Sequence, residues 1–491
     1  MTGSSPSYTI AMKFGGTSVG SAEAMLRVAD IVAQARENAL HSTPGQGQRR
    51  IVVVASAMSG VTNELIRAAQ AAVQGHEKTI QEIVQTLRSR HLDTLAELNL
   101  EASEHLALEV HIDRLLNHVH SLCRATLVLG ESTPRGMDVI SGVGERLSVP
   151  ILAAVLRTRD VAAQAIEASE LIVTDDLFGA ASPLMQETEE QVRMRLLPLL
   201  EKGIVPVVTG FIGATRDGTL TTLGRGGSDY TATILGACLQ SDEIWIWSDV
   251  DGVMTADPRT VTEAQTIAYL SYTEAAEFSY FGAKVIHPKT ILPVVAGAIP
   301  VRILNSFNPP HPGTLIVAQP PQNGRVVKGI TAIKQVSLIT VEGRGMIGIP
   351  GIAARVFSAV AQEQVSVLMF SQSSSEQSIC LVVPQDAALR TQDALRRAFE
   401  YDMLRHNVER IWCQDDVAIL AVVGERMRNT VGVAARLFGA LAGEQVNIQA
   451  IAQGSSEHNI SVVISAAQVG QAVRAVHVTF DLGANGGEKV G

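Results

Sequence analysis

From residue 8 to about residue 317, short β-branched apolar runs alternate with stretches whose apolar residues recur at helical spacing. No other feature constrains the fold as tightly. The strand candidates are Tyr8 to Phe14, Ile51 to Ser56, Val161 to Ile166, Ile204 to Phe211, Glu243 to Ser248 and Ile299 to Leu304. Between them lie helix candidates at Ala22 to Arg36, Glu145 to Arg157, Glu189 to Glu201, Ser228 to Leu239 and Tyr272 to Ala283. Continuously apolar strands must be covered on both faces, and the intervening helices supply the cover. An α/β fold built on a parallel-rich sheet between helices follows. Residues 64–130 break the pattern, with leucines and isoleucines at helical spacing, few strand formers and few glycines. This predicts an inserted helical hairpin or subdomain.

The segment Asn305 to Arg325 holds five prolines and two glycines and marks a boundary. Beyond it the chain repeats itself at an offset of 81, Gly351-Ile352-Ala353-Ala354-Arg355-Val356-Phe357 aligning with Gly432-Val433-Ala434-Ala435-Arg436-Leu437-Phe438. At the same offset Phe370-Ser371-Gln372-Ser373-Ser374-Ser375-Glu376 aligns with Ile451-Ala452-Gln453-Gly454-Ser455-Ser456-Glu457. Two copies predict a pair of small α+β modules, because a solenoid needs at least three. The expected division is 1–317, then 318–410 with a linker and the first module. The second module spans 411–491, completed by a strand from 325–335.

At 491 residues the length favours about three domains. A net charge of −10 with scattered basic residues argues against nucleic acid as a partner. The longest apolar runs, such as Ile51 to Ala55 and Ile291 to Val301, fall short of the roughly 18 residues that cross a bilayer. With no export segment at the N-terminus, the expectation is a cytoplasmic protein without membrane partners. Cys123, Cys238, Cys380 and Cys413 are far apart, which argues against a zinc site or a disulfide frame. The pairs His118 with His120 and His287 with His311 lack ligand spacing, so no protein-built metal centre is expected.

Five polar segments interrupt the apolar pattern where chemistry is to be expected. Lys13-Phe14-Gly15-Gly16-Thr17-Ser18 leaves the first strand with a cation and two glycines, a way to hold a polyphosphate. Leu223-Gly224-Arg225-Gly226-Gly227-Ser228-Asp229 opens a predicted helix, so its glycines and helix N-terminus form a second anion cradle, Arg225 can fork onto a carboxylate or phosphate, and Ser228 or Asp229 would also serve as an N-cap. Trp247-Ser248-Asp249-Val250-Asp251-Gly252 and Thr255-Ala256-Asp257-Pro258-Arg259 follow a strand, where open α/β sheets place ligands. Phe281-Gly282-Ala283-Lys284-Val285-Ile286-His287-Pro288 adds another lysine at a helix end. Gly343-Arg344-Gly345-Met346-Ile347-Gly348 also fits GxGxxG, with Glu363 about 20 residues on. The repeat copy there reads Gly424-Glu425-Arg426-Met427-Arg428-Asn429, which speaks against a dinucleotide site.

Together these segments make the chain resemble an aspartate kinase of the amino acid kinase fold followed by tandem ACT regulatory domains. The resemblance covers nearly the whole sequence. It implies transfer of the ATP γ-phosphoryl group to the β-carboxylate of L-aspartate with Mg2+, the first step of lysine, threonine and methionine biosynthesis. On it, Lys13 and Asp229 are catalytic. Lys13, Gly15, Gly16, Ser248, Asp249, Met254, Asp257, Arg259 and Lys284 match nucleotide positions, Met254 standing where many relatives carry an aromatic residue. Ser56, Thr62, Glu145, Arg225 and Ser228 match the aspartate site. A carboxylate nucleophile is already ionised at neutral pH, its reference pKa being roughly 3.9, so no general base is required. What remains is positioning and charge cancellation.

The resemblance also implies an amino-acid effector held by Gln372, Gln453 and Asn447, and homo-oligomers assembled through the ACT domains. Glutamine carries donors and acceptors, which suits a zwitterion; threonine is the expected effector and lysine the alternative. Two other function classes stay open: a kinase of the same fold acting on glutamate, acetylglutamate or a nucleotide, and a catalytically silent amino-acid sensor. Some members of the family continue into a homoserine dehydrogenase domain; the end at Gly491 leads to the expectation of a monofunctional enzyme.

Overall fold

The structure, a computed structural model, describes residues 8–41, 49–282, 286–321, 325–373, 377–454 and 458–483. The chain divides into two compact units: Met1–Val253 with Ala268–Tyr272 and Val285–Pro320, and Met254–Ile267 with Thr273–Lys284 and Pro321–Gly491. Residues 254–267 and 273–284 therefore pack with the C-terminal repeats, although in sequence they lie inside the 1–317 segment.

In the first unit the strands are β1 (Thr9–Phe14), β2 (Arg50–Ala55), β3 (Ala163–Ile166), β4 (Val173–Thr174), β5 (Val205–Thr209), β6 (Ile212–Thr215), β7 (Leu220–Thr222), β8 (Glu243–Ser248), β9 (Tyr269–Ser271), β10 (Val301–Asn305) and β11 (Thr314–Val317). Eight of them form one sheet in the order β3-β5-β2-β1-β8-β10-β11-β9, while β4, β6 and β7 form a small second sheet. Among the described residues of the large sheet, the β10–β11 pairing alone is antiparallel. The parallel-rich α/β expectation holds, with the small strands too short to have shown a period.

The helices of this unit are α1 (Ala22–Arg36), α2 (Val61–Val73), α3 (Glu77–Ala96), α4 (Ala102–Leu129), α5 (Pro134–Ser141), α6 (Val143–Arg157), α7 (Met185–Glu201) and α8 (Gly227–Cys238). The next, α9 (Tyr272–Tyr280), starts at the unit's edge and α10 (Pro288–Val295) returns to it. Alternation along the strands assigns the two faces. Ile10, Met12 and Phe14 join Ile51, Val53, Ala55, Trp245 and Trp247 in a core with α1, α2, α6 and the helical insertion. On the opposite face a Cβ on Gly236 of α8 would lie 2.5 Å from Ile244 and 3.6 Å from Ala11. Lys13, two residues beyond Ala11, thus points to the side that α8 covers.

Helices α5 and α6 abut at Gly142, and Pro134–Arg157 is, among the described residues, long and apolar enough to cross a membrane. Most of it is buried inside the protein, as expected of a core helix rather than a span. Its second part is the helix that the sequence predicts from Glu145 to Arg157.

The second unit carries β12 (Gly329–Glu342), β13 (Met369–Gln372), β14 (Ser378–Pro384), β15 (Arg410–Val423), β16 (Ala450–Ala452) and β17 (Asn459–Ser465) in the order β13-β14-β12-β15-β17-β16. Its helices are α11 (Ile352–Gln362), α12 (Ala388–Ala398), α13 (Glu400–Leu404), α14 (Val433–Gly443) and α15 (Val469–Thr479). Both long strands serve both repeats. The first part of β12, Gly329 to Ile333, pairs with Val423 to Ile419, and its last part, Val336 to Glu342, pairs with β14 and with the start of β15. Accordingly Ile330 lies in the core of the second repeat, and Ile411 in that of the first.

Candidate functional site

The C-terminal ends of β1, β2, β5, β8 and β10 open at one sheet edge, and most candidate residues of the first unit lie there. Lys13 Nζ stands 2.6 Å from Asp229 Oδ1, with both side chains mostly buried. Asp229 occupies the first turn of α8, whose cap is Gly226. Ser228 and Asp229 are thus inside the helix and neither is its N-cap, contrary to the bland expectation. Gly226 has φ +73°, and a Cβ there would meet His287 at 2.6 Å, so any side chain would be both strained and crowded.

At the first loop a Cβ on Gly16 would lie 2.9 Å from Ala57 O, which lets the segment after β1 press directly on the segment after β2. Ser59 N donates to Gly16 O at 3.1 Å, and Arg90 of α3 donates to Ser59 O at 2.6 Å and to Gly20 O at 3.3 Å. The helical insertion therefore holds both loops. Gly15 N–H is already bonded to Trp247 O at 3.3 Å, so it would have to leave the sheet edge to donate to an anion.

Glu145 is buried in the first turn of α6. The helix reaches the second loop closely: a Cβ on Gly144 would lie 2.7 Å from Ala57 Cβ and 3.5 Å from Thr62 Oγ1. Ser148 Oγ donates to Ser56 O at 2.8 Å, fixing the same loop. Burial pushes the Glu145 carboxyl up to about 8, against the lowering effect of the Ala57 N–H and its own N–H. Among the described residues its Oε2 has no hydrogen-bond partner. A buried, half-satisfied carboxyl group is costly unless a cation meets it.

Arg225 is exposed in the loop before α8. Ser228 lies against Gly210 at the end of β5, where a Cβ would stand 2.5 Å from Ser228 Oγ. His287, which the sequence reads as lacking metal-ligand spacing, sits in this cluster. Desolvation, then the charges of Lys289 and Arg225, lower its pKa, and Asp229 opposes them. Ser248 ends β8 and Asp249 follows it; Ser248 Oγ contacts Leu304 O at 3.5 Å and accepts from Val250 N at 3.4 Å. Asp251 Oδ1 accepts from Asn305 at 2.9 Å and Asn308 at 3.1 Å, tying this loop to the exit of β10.

Met254, Asp257 and Arg259 fall in the second unit. Arg259 donates to Asp257 through Nε at 3.0 Å and Nη2 at 2.8 Å, and this pairing holds the carboxyl below its ordinary range. Met254 Sδ accepts from Thr266 Oγ1 at 3.5 Å. Lys284 lies outside the described residues. Gln372 lines a cavity of about 240 Å³ with Met346, Ile349, Pro350, Ile352 and Ile379. Gln453 and Asn447 are exposed beside β16. The first two glycines of the GxGxxG lookalike are packed against their own chain, a Cβ on Gly343 falling 2.2 Å from Asn407 O and one on Gly345 2.4 Å from Asn407 Cα, which leaves no room there for a phosphate.

The amino acid kinase family matches residues 9–305, and an ACT domain matches 339–399 and 420–480. Aspartokinase 2 of Arabidopsis thaliana, a chloroplastic protein, is 34% identical over 98% of this chain and 85% of its own length. The bifunctional aspartokinase/homoserine dehydrogenase 2 of the same plant is 36% identical over 96% of this chain and 50% of its own length. The chain spans about half the length of such bifunctional relatives. Among solved structures, Escherichia coli aspartokinase III in complex with aspartate and ADP covers 96% of the chain at 31% identity and a TM-score of 0.80, with all of that structure matched.

Proposed function

The chain belongs to the amino acid kinase family, in its aspartokinase branch, and from that premise we propose that it phosphorylates the β-carboxylate of L-aspartate with ATP, giving 4-phospho-L-aspartate and ADP. The observation that carries this reading is the 2.6 Å contact of Lys13 with Asp229, which brings two glycine-rich segments together at the sheet edge. A carboxylate oxygen attacks the γ-phosphorus, the new O–P bond forms as the bond to the β-phosphate oxygen breaks, and the electron pair leaves with ADP. Lys13 and the N-terminal end of α8 offset the negative charge that spreads over the phosphoryl oxygens, while Asp229 fixes the ammonium of Lys13.

For the acceptor, Glu145 receives the α-ammonium at its unpartnered oxygen and Arg225 the α-carboxylate, with Ser56, Thr62 and Ser228 around them. Ser248 and Asp249, at the exit of β8, border the nucleotide. Magnesium comes with the nucleotide. Among the described residues no three His, Cys, Asp or Glu side chains cluster, which fits an ion held mainly by phosphate oxygens and water. It neutralises phosphate charge. The test is a coupled ADP-release assay over aspartate, glutamate, acetylglutamate and nucleoside monophosphates, with hydroxylamine trapping the acyl phosphate. Turnover with aspartate alone supports the reading; turnover only with another acceptor, or none, removes it.

Regulation is assigned to the repeats. The Gln372 cavity has room for one free amino acid, and Phe370 and Ile451, equivalent in the two repeats, are both exposed on edge strands, which suits assembly of copies through these modules. Threonine is the assigned inhibitor, with lysine as the alternative. Gln372→Ala is expected to raise the half-inhibiting threonine concentration about tenfold, as for loss of a buried polar contact, while uninhibited kcat stays unchanged. Inhibition curves for both amino acids measure this; indifference of the wild type to both would remove the effector assignment.

A further inference from the structure

Asp138, on α5, is buried at 1% exposure, and its carboxylate is fully engaged. Oδ2 accepts from Gly179 N and Thr222 N, both at 2.9 Å, and Oδ1 accepts from Thr222 Oγ1 at 2.8 Å. These donors belong to two different segments. Thr222 ends β7, immediately before Leu223-Gly224-Arg225, and Gly179 lies in the turn between Asp175 and Ser182, whose own ends are held by Ser182 N and Leu177 N donating to Asp175 Oδ1. That turn touches the glycine-rich loop directly: Ala181 N donates to Thr222 O at 2.9 Å, and a Cβ on Gly224 would stand 3.2 Å from Gly179 O. One carboxylate therefore closes the ring formed by α5, the 175–182 turn and the lead-in to Arg225.

We propose that Asp138 is a positioning residue for substrate specificity: it fixes the loop that presents Arg225, and so sets the affinity for the acceptor's α-carboxylate without touching it. This rests on the reading that Arg225 receives that group. A buried charge is tolerated here because three donors converge on it, and charge-assisted bonds to backbone N–H groups hold a loop more firmly than neutral ones. A neutral amide can keep much of this geometry. In Asp138→Asn the amide oxygen can accept from the two N–H groups while its NH2 faces Thr222 Oγ1, which then acts as acceptor. Alanine can do neither.

The experiment uses the full chain. Asp138→Ala is expected to raise the KM for aspartate about 10- to 30-fold while kcat and the KM for ATP change less than about threefold, as for loss of ground-state binding, and Asp138→Asn is expected to recover most of the difference. Thr222→Val, which removes only the hydroxyl, should raise the aspartate KM about threefold and provides the measurement if the alanine variant does not fold. Amide hydrogen exchange, read without substrate, should accelerate in the alanine variant at 177–181 and 222–227. An unchanged aspartate KM in a folded alanine variant, with wild type active on aspartate, overturns the positioning role and leaves the kinase reading standing. Wild-type inactivity on aspartate overturns that reading instead, and unchanged exchange at both segments then overturns the clasp by itself.

Discussion

Lys13→Ala is expected to lower kcat about a thousandfold, the scale seen when a preorganised charge facing the developing phosphoryl charge is removed. The protein should stay folded, because the ion pair with Asp229 sits at the sheet edge and the core beneath it, Ile10, Met12 and Phe14, is untouched. Asp229→Ala should cost somewhat less, since it frees the ammonium without deleting it. If Asp229 acts through Lys13, the double variant is no slower than Lys13→Ala alone, whereas independent roles would multiply. Single-turnover rates with circular dichroism on the same samples measure this. Near-wild-type turnover in Lys13→Ala would sink the assignment.

Glu145→Gln should destroy aspartate binding and yet strengthen the empty protein. With the folded pKa near 8 and the ordinary value at 4.5, Glu145 holds its proton in the folded state over a range where the unfolded chain has lost it. Relative to glutamine, the wild type is least burdened below about pH 4.5 and loses stability as pH rises toward 8. At pH 7 the gain on substitution is of order 3 kcal/mol, from about 1.4 kcal/mol per pKa unit. Aspartate binding needs the ionised carboxylate, so wild-type affinity should rise with pH up to about 8 and then flatten. Binding at pH 7 should release close to one proton, read by calorimetry in buffers of different ionisation heat. The glutamine variant should release none and bind about a hundredfold more weakly, as for a lost charge-paired contact. An unshifted melting curve together with no proton release would refute the placement of the ammonium at Glu145.

Much of this was legible in the chain because it rests on local pattern. Helix α1 has the bounds that its apolar spacing gives, Ala22 to Arg36, and each strand leading to the site was visible as a β-branched run. Lys13 and Asp229 stand out in the sequence as a lysine at a strand end and a carboxylate at a helix start, whereas Glu145 is singled out only by the family resemblance. Asp138 does not stand out, since an aspartate that accepts from distant backbone N–H groups carries no local signal until the partners are known. The strands β4, β6 and β7 have two to four residues each, too few for alternation to register. The packing of 254–267 and 273–284 with the C-terminal repeats is decided by distant neighbours, such as Lys328 bonding Glu274 at 2.7 Å and His477 bonding Thr255 at 3.0 Å. No local period carries that information.

The sharing of β12 and β15 has a consequence for how the repeats can be dissected or evolve. Cutting the chain between them would leave each fragment without an inner strand and with a bare hydrophobic slot, so neither half is a detachable part. The pair should melt as a single cooperative block, and a fragment beginning at residue 411 should be insoluble where one beginning near residue 325 is not. Any divergence of one repeat from the other has therefore had to proceed on a common frame, with every change felt by both.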